Sequence, residues 1–109
     1  MATRYRIFGQ QAPANNTFAT LYTVPTGYSA VVSSITACNY ATANGTFRIA
    51  VVPGNQSLRP NSYIAFDTGL PAQDTIALSL GVTLSANDSI QVFSFQGNVS
   101  FQAFGSELN

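Results

Sequence analysis

The sequence predicts an all-β protein: a single-domain β-sandwich of seven to eight short antiparallel strands, jelly-roll or Ig-like in type. Three observations carry this. Short runs rich in Val, Ile, Thr and Phe alternate apolar and polar positions, as a strand with one buried face does. Turn residues separate the runs at regular spacing: Pro25-Thr-Gly27, Asn44-Gly45, Pro53-Gly54, Ser85 to Asp88 and Gly97-Asn98. No stretch sustains a helical period with caps at its ends, so no helix longer than about two turns is expected.

Thr3 to Phe8 alternates, with Tyr5 and Ile7 on one side and Arg4, Arg6 and Phe8 on the other. It reads as a short strand. Gln10 to Asn16 reads as a polar loop containing Pro13 and no apolar side chain larger than alanine. Residues 1–16 are therefore expected to form an N-terminal arm and tether, and residues 17–109 the sandwich. A terminal strand on a tether can complete its own sheet or add to a sheet edge on another chain. The favoured expectation is docking on another chain. Tyr5, Ile7 and Phe8 would be its apolar anchors, and Arg4 and Arg6 would meet carboxylates on the partner.

Thr17 to Val24 is strand-like, with Phe18 and Tyr22 expected on one face. Pro25-Thr-Gly27 is a turn, because proline presets φ and glycine closes it. Tyr28 to Asn39 reads as a long strand, bent or bulged midway. Thr46 to Val52 places Phe47, Ile49 and Val51 inward and Arg48 and Ala50 outward. A polar loop runs from Pro53 to Asn61. Ser62 to Asp67 reads as a short strand, Thr68 to Gln73 as a turn, and Asp74 to Leu80 as a strand with Ile76, Leu78 and Leu80 inward. Residues 81–84 extend it.

The C-terminal stretch, Ser89 to Phe104, holds four of the eight phenylalanines. It reads as a hairpin turning at Gly97-Asn98, since such a pair between β-rich runs favours a two-residue loop. One face would carry Ile90, Val92, Val99, Phe101 and Ala103. Phe93, Phe95 and Phe104 would share the other. Both faces are partly apolar, so the phenylalanine face should be covered by a neighbouring chain, by the N-terminal arm or by a long loop folding back.

Charged residues make up 7% of the chain, against about 25% in ordinary soluble proteins. Lysine, histidine and tryptophan are missing, and the net charge is zero. Little electrostatic repulsion keeps copies apart, so burial of much of the surface in an assembly is expected. Four arginines without lysine make a poor phosphate footprint, and nucleic acid is not an expected partner. No apolar run is long enough to span a bilayer, and the first residues lack the apolar core of a signal peptide, so neither a membrane partner nor secretion is expected.

Catalytic constellations are weak. Asp67-Thr-Gly69 resembles the active-site signature of aspartic proteases, whose chemistry needs two such carboxylates sharing a proton. Leu70-Pro71 follows where that family has a small residue, and a plain turn is the preferred reading. Cys38 has no histidine to activate it and should be a buried apolar residue. Asp67, Asp74 and Asp88 could gather around Ca²⁺, but no loop places oxygens in series, so they read as turn residues. No catalytic residue, metal or cofactor is expected.

A series of segments resembles small virion proteins of tailed bacteriophages: Thr20-Leu-Tyr-Thr-Val-Pro-Thr-Gly27, Ala30-Val-Val-Ser-Ser-Ile35, Thr46-Phe-Arg-Ile-Ala-Val-Val-Pro53, Tyr63-Ile-Ala-Phe-Asp67, Asp74-Thr-Ile-Ala-Leu78 and Asn98-Val-Ser-Phe-Gln-Ala-Phe-Gly-Ser-Glu107. The resemblance covers roughly residues 20–107. It implies a structural particle component and not an enzyme, with the capsid surface favoured over the tail. The expected partner is the major capsid protein, or else a tail or baseplate protein. The chain would act as a homo-oligomer, a trimer being favoured for a decoration (cement) protein, and would be made in the host cytoplasm. The alternative is a tail, baseplate or fibre module whose Tyr28, Tyr40 and Tyr63 contact host glycans. The candidate interface residues are Arg4, Tyr5, Arg6, Ile7, Phe8, Phe93, Phe95 and Phe104.

Overall fold

The computed structural model describes residues 3–79 and 81–109. The alternating runs become nine strands, in chain order β1 (Thr3–Gln11), β2 (Thr17–Thr23), β3 (Ser29–Asn39), β4 (Gly45–Val52), β5 (Tyr63–Leu70), β6 (Asp74–Leu78), β7 (Val82–Leu84), β8 (Ser89–Ser94) and β9 (Val99–Leu108). The only helical element among the described residues is a single 3-10 turn, Pro60–Ser62. The inward Leu80 expected between β6 and β7 lies outside the described residues.

The strands form two antiparallel sheets. The first runs β1-β9-β3-β6, with β7 following β6 along the same edge of β3; the second runs β2-β8-β4-β5. The chain crosses between sheets at every connection except β4–β5 and β6–β7. With β6 and β7 counted as one position, this is the eight-strand order of a jelly roll. Both inner faces supply the core. Phe47 from the second sheet meets Phe101 from the first edge to face, 6.2 Å between ring centroids. Ile35, Leu84 and Val99 pack opposite Ile49, Ile90 and Val92, all essentially inaccessible to solvent.

The strongest turn signal does not make a hairpin. β8 pairs with β2 on one side and β4 on the other, while β9 pairs with β1 and β3. Each strand is saturated on both edges in its own sheet, so neither has an edge left for the other. Gly97 and Asn98 do turn the chain, with φ of 69° and 57°, and the Gly97 amide donates to Ser94 Oγ at 2.9 Å. The turn carries the chain from one sheet to the other. The expected inward set (Ile90, Val92, Val99, Phe101, Ala103) is correct, but its two halves face each other across the core. The outward residues consequently part: Phe93 and Phe95 lie on the outer face of the second sheet, Phe104 on that of the first.

Single-residue bulges account for other departures. The pairing of β1 with β9 shifts between Ile7 and Gly9, and that of β2 with β8 between Thr20 and Tyr22. The second shift puts Phe18 outside and Tyr22 inside, although alternation alone places them together. At the first, Phe8 faces inward as its alternation with Ile7 predicts, and the shift turns Gly9 inward as well; the Phe8 ring stacks on Tyr22 at 4.2 Å and ties the edge strands of the two sheets together. The backbones approach so closely there that a Cβ on Gly9 would lie 1.9 Å from the Leu21 carbonyl oxygen.

β1 extends through Gln11 and pairs along its length with β9. The expected arm is thus the edge strand of its own sandwich, the alternative to docking on another chain. Hydrogen bonds are satisfied locally, and Phe8 is drawn into its own core. β5 likewise continues through the expected turn to Leu70, with Gly69 opposite Thr46. Cys38 sits half-buried on the outer face of the first sheet, between Thr75 and Ser100, and not in the core. Its neighbour Asn39 is the buried residue. Its amide donates to the carbonyls of Ala43 and Leu70, and its oxygen accepts from the Ala41 amide, so the 40–44 loop is fastened to the end of β5.

Candidate interaction surfaces

Of the eight candidate interface residues, seven occupy three separate places and Phe8 lies in the core. Arg4 and Arg6 stand opposite Glu107 and Gly105 of β9 and turn toward the open edge of the sandwich. Glu107 is fully buried there. Its Oε1 accepts from Arg4 Nε at 2.7 Å and Arg6 Nη1 at 3.2 Å, and its Oε2 accepts from the Tyr22 hydroxyl. The Arg4 guanidinium also lies 4.5 Å over the Tyr28 ring. Burial alone would raise the Glu107 carboxyl. The Tyr22 and Arg4 hydrogen bonds and the two guanidinium charges outweigh it and hold the carboxyl below its usual value. Burial first, then the bond to Glu107, raise the Tyr22 hydroxyl. The hydrogen bond that Arg4 donates to Glu107 raises the Arg4 guanidinium. The carboxylate that the two arginines meet is in their own chain. Inward charges on an edge strand also discourage a second strand from adding there.

Tyr5, Ile7 and Phe104 form a real patch. Alternation puts all three on the outer face of the first sheet, where Ile7 is directly opposite Phe104, and Tyr5 and Val31 flank Ser106. Tyr5 is 85% exposed and Ile7 52%. Tyr5, Val31 and Phe104 border a shallow depression of about 290 Å³. Phe8 takes no part, being inside.

Phe93 and Phe95 belong to a second patch on the opposite outer face. Phe93 is 5% exposed, covered by Phe18 at 4.7 Å and by Phe95 edge-on at 4.9 Å. At the centre is Arg48 of β4, opposite Phe93. Its guanidinium carbon lies 4.1 Å from the Phe66 centroid, 4.7 Å from Phe95, 4.9 Å from Phe93 and 5.9 Å from Tyr63. Asp67 closes the arrangement with two bonds, Nε to Oδ1 at 2.6 Å and Nη2 to Oδ2 at 3.1 Å. This planar fork stacks and pairs at once, as only arginine can. The hydrogen bond raises Arg48 and lowers Asp67. Asp67 is therefore held ionised by a guanidinium, the opposite of a shared-proton pair. Phe66, Phe95 and Phe18 remain partly exposed in this cluster.

Phe18, Arg48, Phe66 and Asp67 were not among the expected interface residues, and Tyr63 was expected only as a glycan contact in the alternative reading. The usable signal was Arg48 itself: an arginine at an outward position of a strongly alternating strand must find cover or water. Naming its cover required the β4–β5 register, which two bulges distort. Of the other carboxylates, Asp88 accepts from the Gly54 and Ser85 amides and Asp74 from the Thr75 amide. Each carboxylate has its own local partner. Among the described residues, no three His, Cys, Asp or Glu side chains cluster as a metal site. Compared with known protein families and with curated proteins, the chain matches none.

Proposed function

We propose that this chain is a structural protein of a tailed-bacteriophage particle, a capsid decoration protein that adheres to the head and bridges neighbouring major capsid subunits. The observation that carries the reading is the pair of partly apolar patches on opposite outer faces of one sandwich, Tyr5/Ile7/Phe104 on one side and Phe18/Phe66/Phe95 around Arg48 on the other. A rigid body with two adhesive faces can hold two neighbours at once, or one neighbour and another copy of itself. Low charge favours close contact over repulsion. The segment series from Thr20 to Glu107 and the jelly-roll order, shared by many capsid proteins, point the same way by analogy. The role is adhesive and not enzymatic.

Quantitative mass spectrometry of purified particles tests this. A decoration protein is present in hundreds of copies, in simple ratio to the major capsid protein. A handful of copies would place it in a baseplate or fibre, and its absence from particles would end the proposal.

A further inference from the structure

Beside Phe18, the outer face of the second sheet holds a depression of about 410 Å³, within the usual range for small-molecule sites. The segment 53–58 forms one wall, and Asn87, Ser89 and Gln91 another. Asp88 fastens that segment in place by accepting from the Gly54 amide at 2.9 Å. The chemistry of the lining is unusual. It contains no charged residue, yet carries three carboxamides (Gln56, Asn87 and Gln91), two serine hydroxyls and one aromatic ring.

These groups are partly preset. Gln91 accepts from Thr20 Oγ1 and donates to Ser89 Oγ, which orients its amide and leaves one N–H free. Asn87 accepts from Thr26 Oγ1 through Oδ1, leaving its amino group available. Among the described residues, the Gln56 and Ser57 side chains make no hydrogen bond to the rest of the chain. Phe18 is supported by its contact with Phe93 and remains 37% exposed.

We propose that this depression binds a neutral carbohydrate. The apolar face of a pyranose ring would lie on Phe18, and its hydroxyls would exchange hydrogen bonds with Gln56, Ser57, Asn87 and Gln91. Carboxamides both donate and accept, as sugar hydroxyls do. An anionic ligand finds no cation in the lining, and a cationic one finds no carboxylate. A purely apolar ligand would meet Phe18, Val52, Pro53 and Leu58, but would strip water from five polar side chains without replacing its hydrogen bonds, whereas a sugar has both an apolar face and hydroxyls. Phe18 is shared with the proposed adhesive face, so the inference concerns what the free protein binds and is tested without particles.

The test is a titration of ¹⁵N-labelled full-length protein with maltohexaose, tri-N-acetylchitotriose and mannotriose, with a heparin hexasaccharide as the acidic control. At least one neutral sugar should shift the amides of residues 18, 54–58 and 87–91 saturably, with a Kd on the order of 1 mM. Gln56→Ala, in an exposed loop, and Phe18→Ala should each weaken that binding by roughly tenfold or more. Gln56→Ala keeps the test decisive if Phe18→Ala disturbs the aromatic cluster. The proposal is overturned if none of the three neutral sugars shifts these amides, if the shifts map elsewhere, if the heparin fragment binds more tightly, or if Gln56→Ala binds like the parent.

Discussion

At the scale of single residues, two ion-pair centres hold this sparsely charged chain, and they differ in environment. Glu107 is enclosed, with Tyr22, Arg4 and Arg6 around it. Its carboxyl titrates below its usual 4.5, so the unfolded chain takes up the proton first as the pH falls. Its stabilisation is complete above that value and is lost as the pH drops through the lower, folded-state value. The Tyr22 hydroxyl is raised from 10.0, so the unfolded chain loses that proton first at high pH, and its stabilisation declines as the pH rises beyond 10.0. Thermal melts should therefore show a plateau near neutrality with losses on both sides. Glu107→Gln should cost about 3 kcal/mol at pH 7 and flatten the acid limb. An unchanged acid limb would mean that Glu107 is not the group responsible. Arg48 is on the surface, where Coulombic energy is screened and geometry matters more. Arg48→Lys should lower the melting temperature by a few degrees despite keeping the charge, because a lysine cannot both stack on Phe66 and pair twice with Asp67; an unchanged melt would reduce the cage to passive contact.

At the scale of elements, the strands were legible in the sequence and their partners were not. The alternation of Phe47, Ile49 and Val51 against Arg48 and Ala50 identifies a strand and its inner face, because burial of one face imposes that pattern wherever the strand goes. Pairing is different. The β8 and β9 residues satisfy a hairpin and a cross-sandwich arrangement equally well, since both put Ile90, Val92, Phe101 and Ala103 in the core. Only β1 and β2, taking up the free edges, decide between them. Bulges at Phe8 and Leu21 leave no mark in composition, yet each reverses the facing of its neighbours. The candidate surface suffered most, because it depends on which outward residues share a sheet. β1 provides a direct check. It supplies Phe8 to the core and the second edge to β9, and losing a buried phenylalanine alone costs about 3–5 kcal/mol. A protein lacking residues 1–9 should lose its cooperative melt. A folded, monomeric product would show instead that β1 is a dispensable arm.

At the scale of the whole molecule, the jelly roll separates two kinds of apolar surface. Its interior is closed by both sheets, while its two outer faces each keep a partly exposed cluster, on opposite sides of the body. Two such clusters on one nearly uncharged chain fit simultaneous contact with two neighbours better than capture of a single partner. Each should be removable without unfolding the protein, since Tyr5, Ile7, Phe66 and Phe95 are all about half exposed or more. The most direct measurement for the proposed role in a phage particle is co-sedimentation of purified protein with particles lacking it, comparing the parent with Tyr5→Ser/Ile7→Ser and with Phe66→Ser/Phe95→Ser. Both double variants should melt within a few degrees of the parent, and each should lose most of its retention on the particles. Retention of both variants at the parental level, with their folds intact, would contradict the two-faced adhesive role.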